Sequence, residues 1–232
     1  MKSNCKDTTL LGSFLENHDR PRFPSITSDR ALNKNAIGFT MLSDGMPIIY
    51  QGQEQYLSGS AVPNNREAIW LSGYSTTADL YTFITTINKL RTQAIAKDTT
   101  YVTYKASPVF SDSSTIVMRK GATGSQLVSV FSNTGASGAH SFQLTASASG
   151  FTASLGLTEV LACKTYTTDS NGALTVGISG GLPQVFYPSA QLSGSGLCPN
   201  TTVGSSSSSA SSAVSSCKTF WRCLRTARQA PC

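Results

Sequence analysis

Over the first hundred residues, short apolar runs that end in polar clusters alternate with stretches whose apolar positions recur at helical spacing. That rhythm predicts strands alternating with helices. Leu10 to Leu15 reads as a strand that runs into Glu16-Asn17-His18-Asp19. A helix follows, with Thr27 or Ser28 as its cap, Leu32, Ala36, Phe39 and Leu42 on one face, and Gly45 as its stop. Pro47-Ile48-Ile49-Tyr50 reads as a second strand and again delivers polar residues, Gln51-Gly52-Gln53-Glu54. Leu80, Phe83, Ile84, Ile87, Leu90 and Ile95 then mark a second helix, capped by Thr76 or Thr77, whose apolar face belongs to a core.

From Tyr101 the period shortens to two. The runs 101–105, 115–120, 127–131, 141–145, 158–163, 174–178 and 184–187 are rich in Val, Thr, Ser and Tyr, and Gly121, Gly124, Asn171-Gly172 and Gly180-Gly181 punctuate them. This pattern predicts an antiparallel β-sandwich as a second domain. Ser205 to Ser216 is nearly all Ser with Ala and Val and cannot build a packed core, so it reads as a linker. The division expected is residues 1–98, 99–198, a Ser-rich linker at 199–216 and a basic, patternless tail at 217–232.

Composition changes this picture little. A hydrophobic fraction of 39% in 232 residues is enough for real cores. No apolar run reaches the roughly 18 residues a membrane helix needs, and the first residues carry no signal-like apolar segment. The formal charge of +6 is concentrated at Lys218, Arg222, Arg225 and Arg228 in a tail without Asp or Glu, which argues against a basic nucleic-acid face. Cysteines stand at positions 5, 163, 198, 217, 223 and 232 with no Cys-x-x-Cys pair, and the two histidines, His18 and His140, are far apart, so a zinc site is not expected. Cys163 and Cys198 flank a β-rich stretch and are able to form a disulfide, which would imply an oxidising compartment. Asn200-Thr201-Thr202 is a glycosylation sequon.

The candidate chemistry sits where the strands end. Asn17, His18 and Asp19 follow the first strand at the place where a (β/α) barrel carries its catalytic groups. Glu16 lies before that tip and Glu54 beyond the second, and both read as structural. Arg66-Glu67 admits either a substrate-facing arginine or a plain ion pair.

Phe14-Leu15-Glu16-Asn17-His18-Asp19 resembles the fourth conserved region of the α-amylase family of glycoside hydrolases, at the end of barrel strand seven. Residues 42–55 look like strand eight with its preceding turn, and Asn65-Arg66-Glu67-Ala68-Ile69-Trp70-Leu71-Ser72-Gly73-Tyr74 is similar to fungal secreted α-amylases. The resemblance covers about residues 3 to 198. It implies an α/β plus all-β chain: an incomplete (β/α)8 TIM barrel, its last two strand–helix units, followed by the sandwich domain. It implies retaining hydrolysis of internal α-1,4-glucosidic bonds in starch, with Asp19 stabilising the transition state and His18 and Arg66 binding sugar hydroxyls. The family's nucleophile and acid, a carboxylate pair about 5 Å apart, come from strands four and five, so this chain alone is expected to be inactive.

The resemblance further implies a Cys163–Cys198 disulfide and a Cys5 whose partner lies on a preceding part of the barrel. It implies secretion, a monomer, an α-1,4-glucan as partner with neither nucleic acid nor membrane, and no metal or cofactor held by this chain, although the intact enzymes carry calcium. Arg20 and Val62 depart from the fungal pattern, where Asn and an acidic residue are usual. The competing reading is a non-catalytic glucan-binding or structural remnant in which only the sandwich folds, which predicts a protease-resistant fragment beginning near Asp98.

Overall fold

The structure, a computed structural model, describes residues 7–199. Cys5, Asn200, the Ser-rich run and the basic tail therefore lie outside the described residues.

Two short strands, β1 (Gly12–Phe14) and β2 (Met46–Ile48), pair in parallel with Gly12 opposite Met46 and Phe14 opposite Ile48. Between them come the single turn α1 (Phe23–Ile26) and the helix α2 (Arg30–Leu42). This is the strand–helix–strand rhythm of a barrel segment, and no closed barrel forms among the described residues. Phe14, Met46 and Ile48 share the face of the pair that is left exposed.

The cap of α2 is Asp29, not Thr27 or Ser28. Its carboxylate accepts the amides of Ala31 and Leu32, so it satisfies two donors that the helix itself cannot. The buried face also differs from the periodicity. Ile37, Gly38, Met41 and Leu42 turn inward, Leu32 and Ala36 are half-buried, and Phe39 is exposed apart from an edge-to-face contact with Phe131. The helix rotates because it packs on two things at once, the helix α3 (Asp79–Lys97) and a sheet. α3 starts after Ala78 with no side-chain cap, so neither Thr76 nor Thr77 serves, while Asp79 at its positive end pairs with Lys34 at 2.7 Å.

Beyond residue 98 the fold is all β. A six-stranded antiparallel sheet runs β3 (Ser107–Ser111), β4 (Thr115–Lys120), β5 (Leu127–Ser132), β10 (Gln184–Pro188), β7 (Gly156–Glu159), β8 (Lys164–Thr167), and a second sheet pairs β6 (Ala139–Leu144) with β9 (Leu174–Ser179). A short turn of helix, α4 (Ala146–Ser149), follows β6. The 101–105 run is not a strand. Asp98 caps a 3-10 turn at Thr99–Val102 that buries Tyr101 beneath the helices. The 158–163 run is two structures, the end of β7 and the turn into β8, because Cys163 adopts a positive φ of 52° there and reverses the chain.

β5 is buried on both faces. Leu127 and Phe131 meet Ile37, Phe83, Ile87 and Leu90 of the helices, while Val128 and Val130 meet Leu144, Val176 and Ile178 across the sandwich. Fully burying such side chains contributes roughly 1.5–3 kcal/mol each. The first of these clusters thus crosses residue 98. Polar ties reinforce it: Asn35 donates to the carbonyl of Gly181 and accepts the amide of Ser132, and the Asp29 carboxylate accepts the amide of Ala136. The buried Lys120 ammonium reaches Asp44 at 2.7 Å. Cys163 and Cys198 form a disulfide that closes the C-terminal segment onto the sheet.

Candidate functional site

The parallel pairing of β1 and β2 sends both chains out at the same end, so the segment 15–22 and the long segment 49–78 rise side by side. There His18, Asp19 and Arg66 come together. Arg66 donates through Nε to the carbonyl of His18 at 3.1 Å, and its Nη2 lies 3.4 Å from Asp19 Oδ1. His18 Nε2 stands 3.2 Å from Asp19 Oδ2. The side chains of His18, Asp19 and Arg66 remain 64%, 65% and 46% exposed. They form a layer of imidazole, carboxylate and guanidinium that is open to a ligand.

At Arg66-Glu67 each side chain pairs elsewhere. The two residues are not an ion pair with each other: Arg66 turns to Asp19, and Glu67 turns to Arg22.

Beneath the open layer lies a set of buried groups that sequence reasoning did not single out for function. Asn65 is fully buried and donates through Nδ2 to the carbonyls of His18 at 3.0 Å and Arg20 at 2.8 Å. Arg22, also fully buried, donates to Glu67 Oε2 at 2.6 Å and to Glu16 Oε2 at 3.3 Å. Its guanidinium carbon sits 4.4 Å from the centre of the Tyr50 ring. Desolvation pushes the Glu16 carboxyl above its ordinary value, against the opposing pull of the Phe23 amide and Arg22. For Glu67, desolvation also acts upward, yet hydrogen bonds from its own amide, Arg22 and Gly59 outweigh it and hold the carboxyl low. The signal in the sequence was Arg22 itself, a charge placed between Pro21 and Phe23 immediately after the polar tip.

Glu54, read as structural, lies away from this cluster. It lines a separate hollow with Met41, Pro47, Ile49, Tyr81 and Asn88. Among the described residues no three His, Cys, Asp or Glu side chains gather as metal ligands. No described helix is long and apolar enough to cross a membrane.

Two parallel strands with their helices, followed by an antiparallel β domain, define the class: a (β/α) barrel segment joined to a C-terminal β domain. The matches make it specific. The chain matches the description "Alpha amylase, catalytic domain" over residues 1–123 and "Alpha-amylase, domain C" over residues 108–206. The chain belongs to the α-amylase family.

It is 48% identical over 198 residues to alpha-amylase 1 of Schwanniomyces occidentalis, covering 85% of this chain and 38% of that one. It is 58% identical over 198 residues to alpha-amylase 1 of Lipomyces kononenkoae, covering 85% of this chain and 32% of the relative. The solved alpha-amylase from Malbranchea cinnamomea superposes with a TM-score of 0.80 at 43% identity, covering 85% of this chain and 41% of the other. The chain thus spans about two fifths or less of the proteins it matches.

Proposed function

We propose that this chain forms one wall of an α-1,4-glucan cleft in an enzyme that cleaves internal bonds of starch with retention, and that Asp19 stabilises the transition state. The observation that carries this reading is the cluster of His18, Asp19 and Arg66, open to solvent and held at the shared end of two parallel strands. A carboxylate that accepts hydrogen bonds from sugar hydroxyls binds more tightly as the ring flattens toward an oxocarbenium ion, and so favours the transition state over the substrate. His18 donates to hydroxyls of the same ring, and the planar fork of Arg66 reaches those of a neighbouring glucosyl unit.

Retaining hydrolysis also needs a nucleophile and an acid about 5 Å apart. In this reading Asp19 is neither, Glu16 is engaged beneath the site, and Glu54 lies elsewhere, so the chain by itself supplies one part of the reaction. The expected division is a barrel part at 1–98 and a sandwich domain at 99–198. Secretion belongs to the same proposal, supported by the Cys163–Cys198 disulfide; a monomeric state follows from the family resemblance, and sugar on Asn200 from its sequon.

The test is a titration of the 232-residue chain with maltoheptaose, followed by NMR. Perturbations confined to residues 17–20 and 65–67, and weakened by Asp19→Asn and by Arg66→Ala, are the expected result. No perturbation there would remove the glucan reading. A parallel assay for reducing ends should show no turnover by the chain alone; clear turnover would overturn its assignment as an incomplete catalyst.

A further inference from the structure

The site has two layers of opposite character. The groups that face outward, His18, Asp19 and Arg66, are about half exposed or more, whereas the groups beneath them, Glu16, Arg22 and Asn65, are 2%, 0% and 0% exposed. His18 and Asp19 lie on a short arch whose two ends are Glu16 and Arg22. Those ends are tied to each other, since Arg22 Nη1 donates to Glu16 Oε2 at 3.3 Å and the Phe23 amide donates to Glu16 Oε1 at 3.1 Å.

The arch is also tied to the other segment. Arg22 Nε donates to Glu67 Oε2 at 2.6 Å, Glu67 Oε1 accepts the Gly59 amide at 2.6 Å, and the Arg22 amide donates to the Gly59 carbonyl at 3.0 Å. Glu67 directly follows Arg66. One guanidinium therefore spans the arch that carries His18 and Asp19 and the segment that carries Arg66.

Stability is a poor reason for such a cluster. Taking a guanidinium and two carboxylates out of water costs about what their attraction returns, and a well-packed apolar set of the same volume often does as well. Arg22 does not satisfy even its own donors, because Nη2 is buried without a hydrogen-bond partner. What a planar, bidentate donor supplies and an apolar residue cannot is direction: it fixes the distance and angle between its two acceptors. The Tyr50 ring lies under the guanidinium, whose carbon is 4.4 Å from the ring centre, and adds a further contact that favours this orientation. Gly52 keeps the space clear, for it holds a φ of +83° and a Cβ there would come 2.3 Å from Leu57 Cδ1 and 3.3 Å from Arg22 Nη2.

We propose that Arg22, clamped between Glu16 and Glu67 over Tyr50, is a positioning residue that sets where His18 and Asp19 stand relative to Arg66. The proposal rests on the glucan reading for the purpose of the site, and its geometry can be tested without it. Arg22 touches no substrate; it acts through the arch. A glucan chain that must meet both segments at once then finds its donors and acceptors already in place, so little of the binding energy goes into arranging them.

The chain contains two histidines, which makes the test direct. His18 reports on the arch, and His140, bonded on β6 to Thr115 Oγ1 at 2.7 Å, reports on the sandwich. Imidazole resonances would be recorded for the full 232-residue chain and for Glu67→Gln and Arg22→Lys. Glu67→Gln keeps the shape and an acceptor but loses the charge, and Arg22→Lys keeps the charge but loses the fork.

The expected result is that His18 moves toward the shift of an unstructured histidine in both variants while His140 stays in place, and that maltoheptaose binds at least about tenfold more weakly. An unmoved His18 with an unmoved His140 in Glu67→Gln overturns the proposal. Movement of both histidines in both variants overturns it as well, because the cluster would then hold the whole molecule and not the site. The ligand-free spectra judge the positioning role and the wild-type titration judges the glucan reading, so either can fail without the other.

Discussion

At the scale of single residues, two buried carboxylates, Glu16 and Glu159, and the half-buried Glu67 show how environment, not residue type, assigns a role. Glu159 is 2% exposed and accepts the amides of Leu161, Ala162 and Val185 at 3.0, 2.7 and 3.0 Å, which shapes the β7–β8 turn. Removing it in Glu159→Ala strands those donors and is expected to cost about 3 kcal/mol or more in a urea titration. Desolvation is the leading influence on Glu159 and raises its carboxyl above the ordinary 4.5, as it does for Glu16. A folded state that holds the proton more tightly than the unfolded one loses stability as pH rises through the window above 4.5. Glu67 is lowered instead, so its contribution is present above 4.5 and is lost as pH falls below it. Stability followed against pH should therefore lose part of its decline above pH 4.5 in Glu159→Gln, and part of its acid-side decline in Glu67→Gln. None of this was legible as sequence, where Glu16, Glu67 and Glu159 look alike; Asp19 stands out as a candidate because its neighbours form a motif.

At the scale of elements, existence was easier to read than boundaries or faces. Both long helices and the strands at 115–120, 127–132, 174–179 and 184–188 stand where their periodicity places them. The misplacements have particular causes. Asp29 displaces Thr27 as cap because its carboxylate reaches two helix amides and also the Ala136 amide on the opposite side of the interface. Phe39 belongs to the helical stripe by spacing, yet α2 must meet α3 and β5 together, and that double contact turns Ile37 and Met41 inward in its place. The C-terminal segment, poor in regular structure, is held by the Cys163–Cys198 bridge across a sequence separation of 35 residues. Chain-entropy arguments put such a closure at about 4 kcal/mol. Reduction, or the double change Cys163→Ser with Cys198→Ser, should lower the denaturation midpoint accordingly, with the loss read by urea titration under reducing and oxidising conditions.

At the scale of the whole molecule, the boundary near residue 98 separates two textures of sequence but not two cores. Ile37, Met41, Phe83, Ile87 and Leu90 pack with Leu127, Phe131, Val185 and Tyr187 in one cluster. The remnant reading, with a resistant fragment starting near Asp98, would need the sheet to expose that face to water. Limited proteolysis should instead leave α2 and α3 attached to the strands, and helix and sheet signals should fade in one coincident transition; a stable fragment beginning near Asp98 would show that the shared core is dispensable. The open face of β1 and β2 is a different matter, since Phe14, Met46 and Ile48 are exposed there and the relatives are more than twice as long.

By itself the sequence determined the kinds of element, their order, the change from α/β to all-β texture near residue 100 and the motif that marks Asp19, because periodicity and short-range polar clusters are local properties. Only the tertiary structure decided that α2 and α3 share a core with β5, that Glu67 belongs to Arg22 while Arg66 belongs to Asp19, and that the Glu16 to Arg22 arch stands beside residues 65–67. Those are choices among partners more than 40 positions apart, as in Arg22 with Glu67 and Arg66 with Asp19, and they are settled by which groups lose water together, a quantity that no local pattern records.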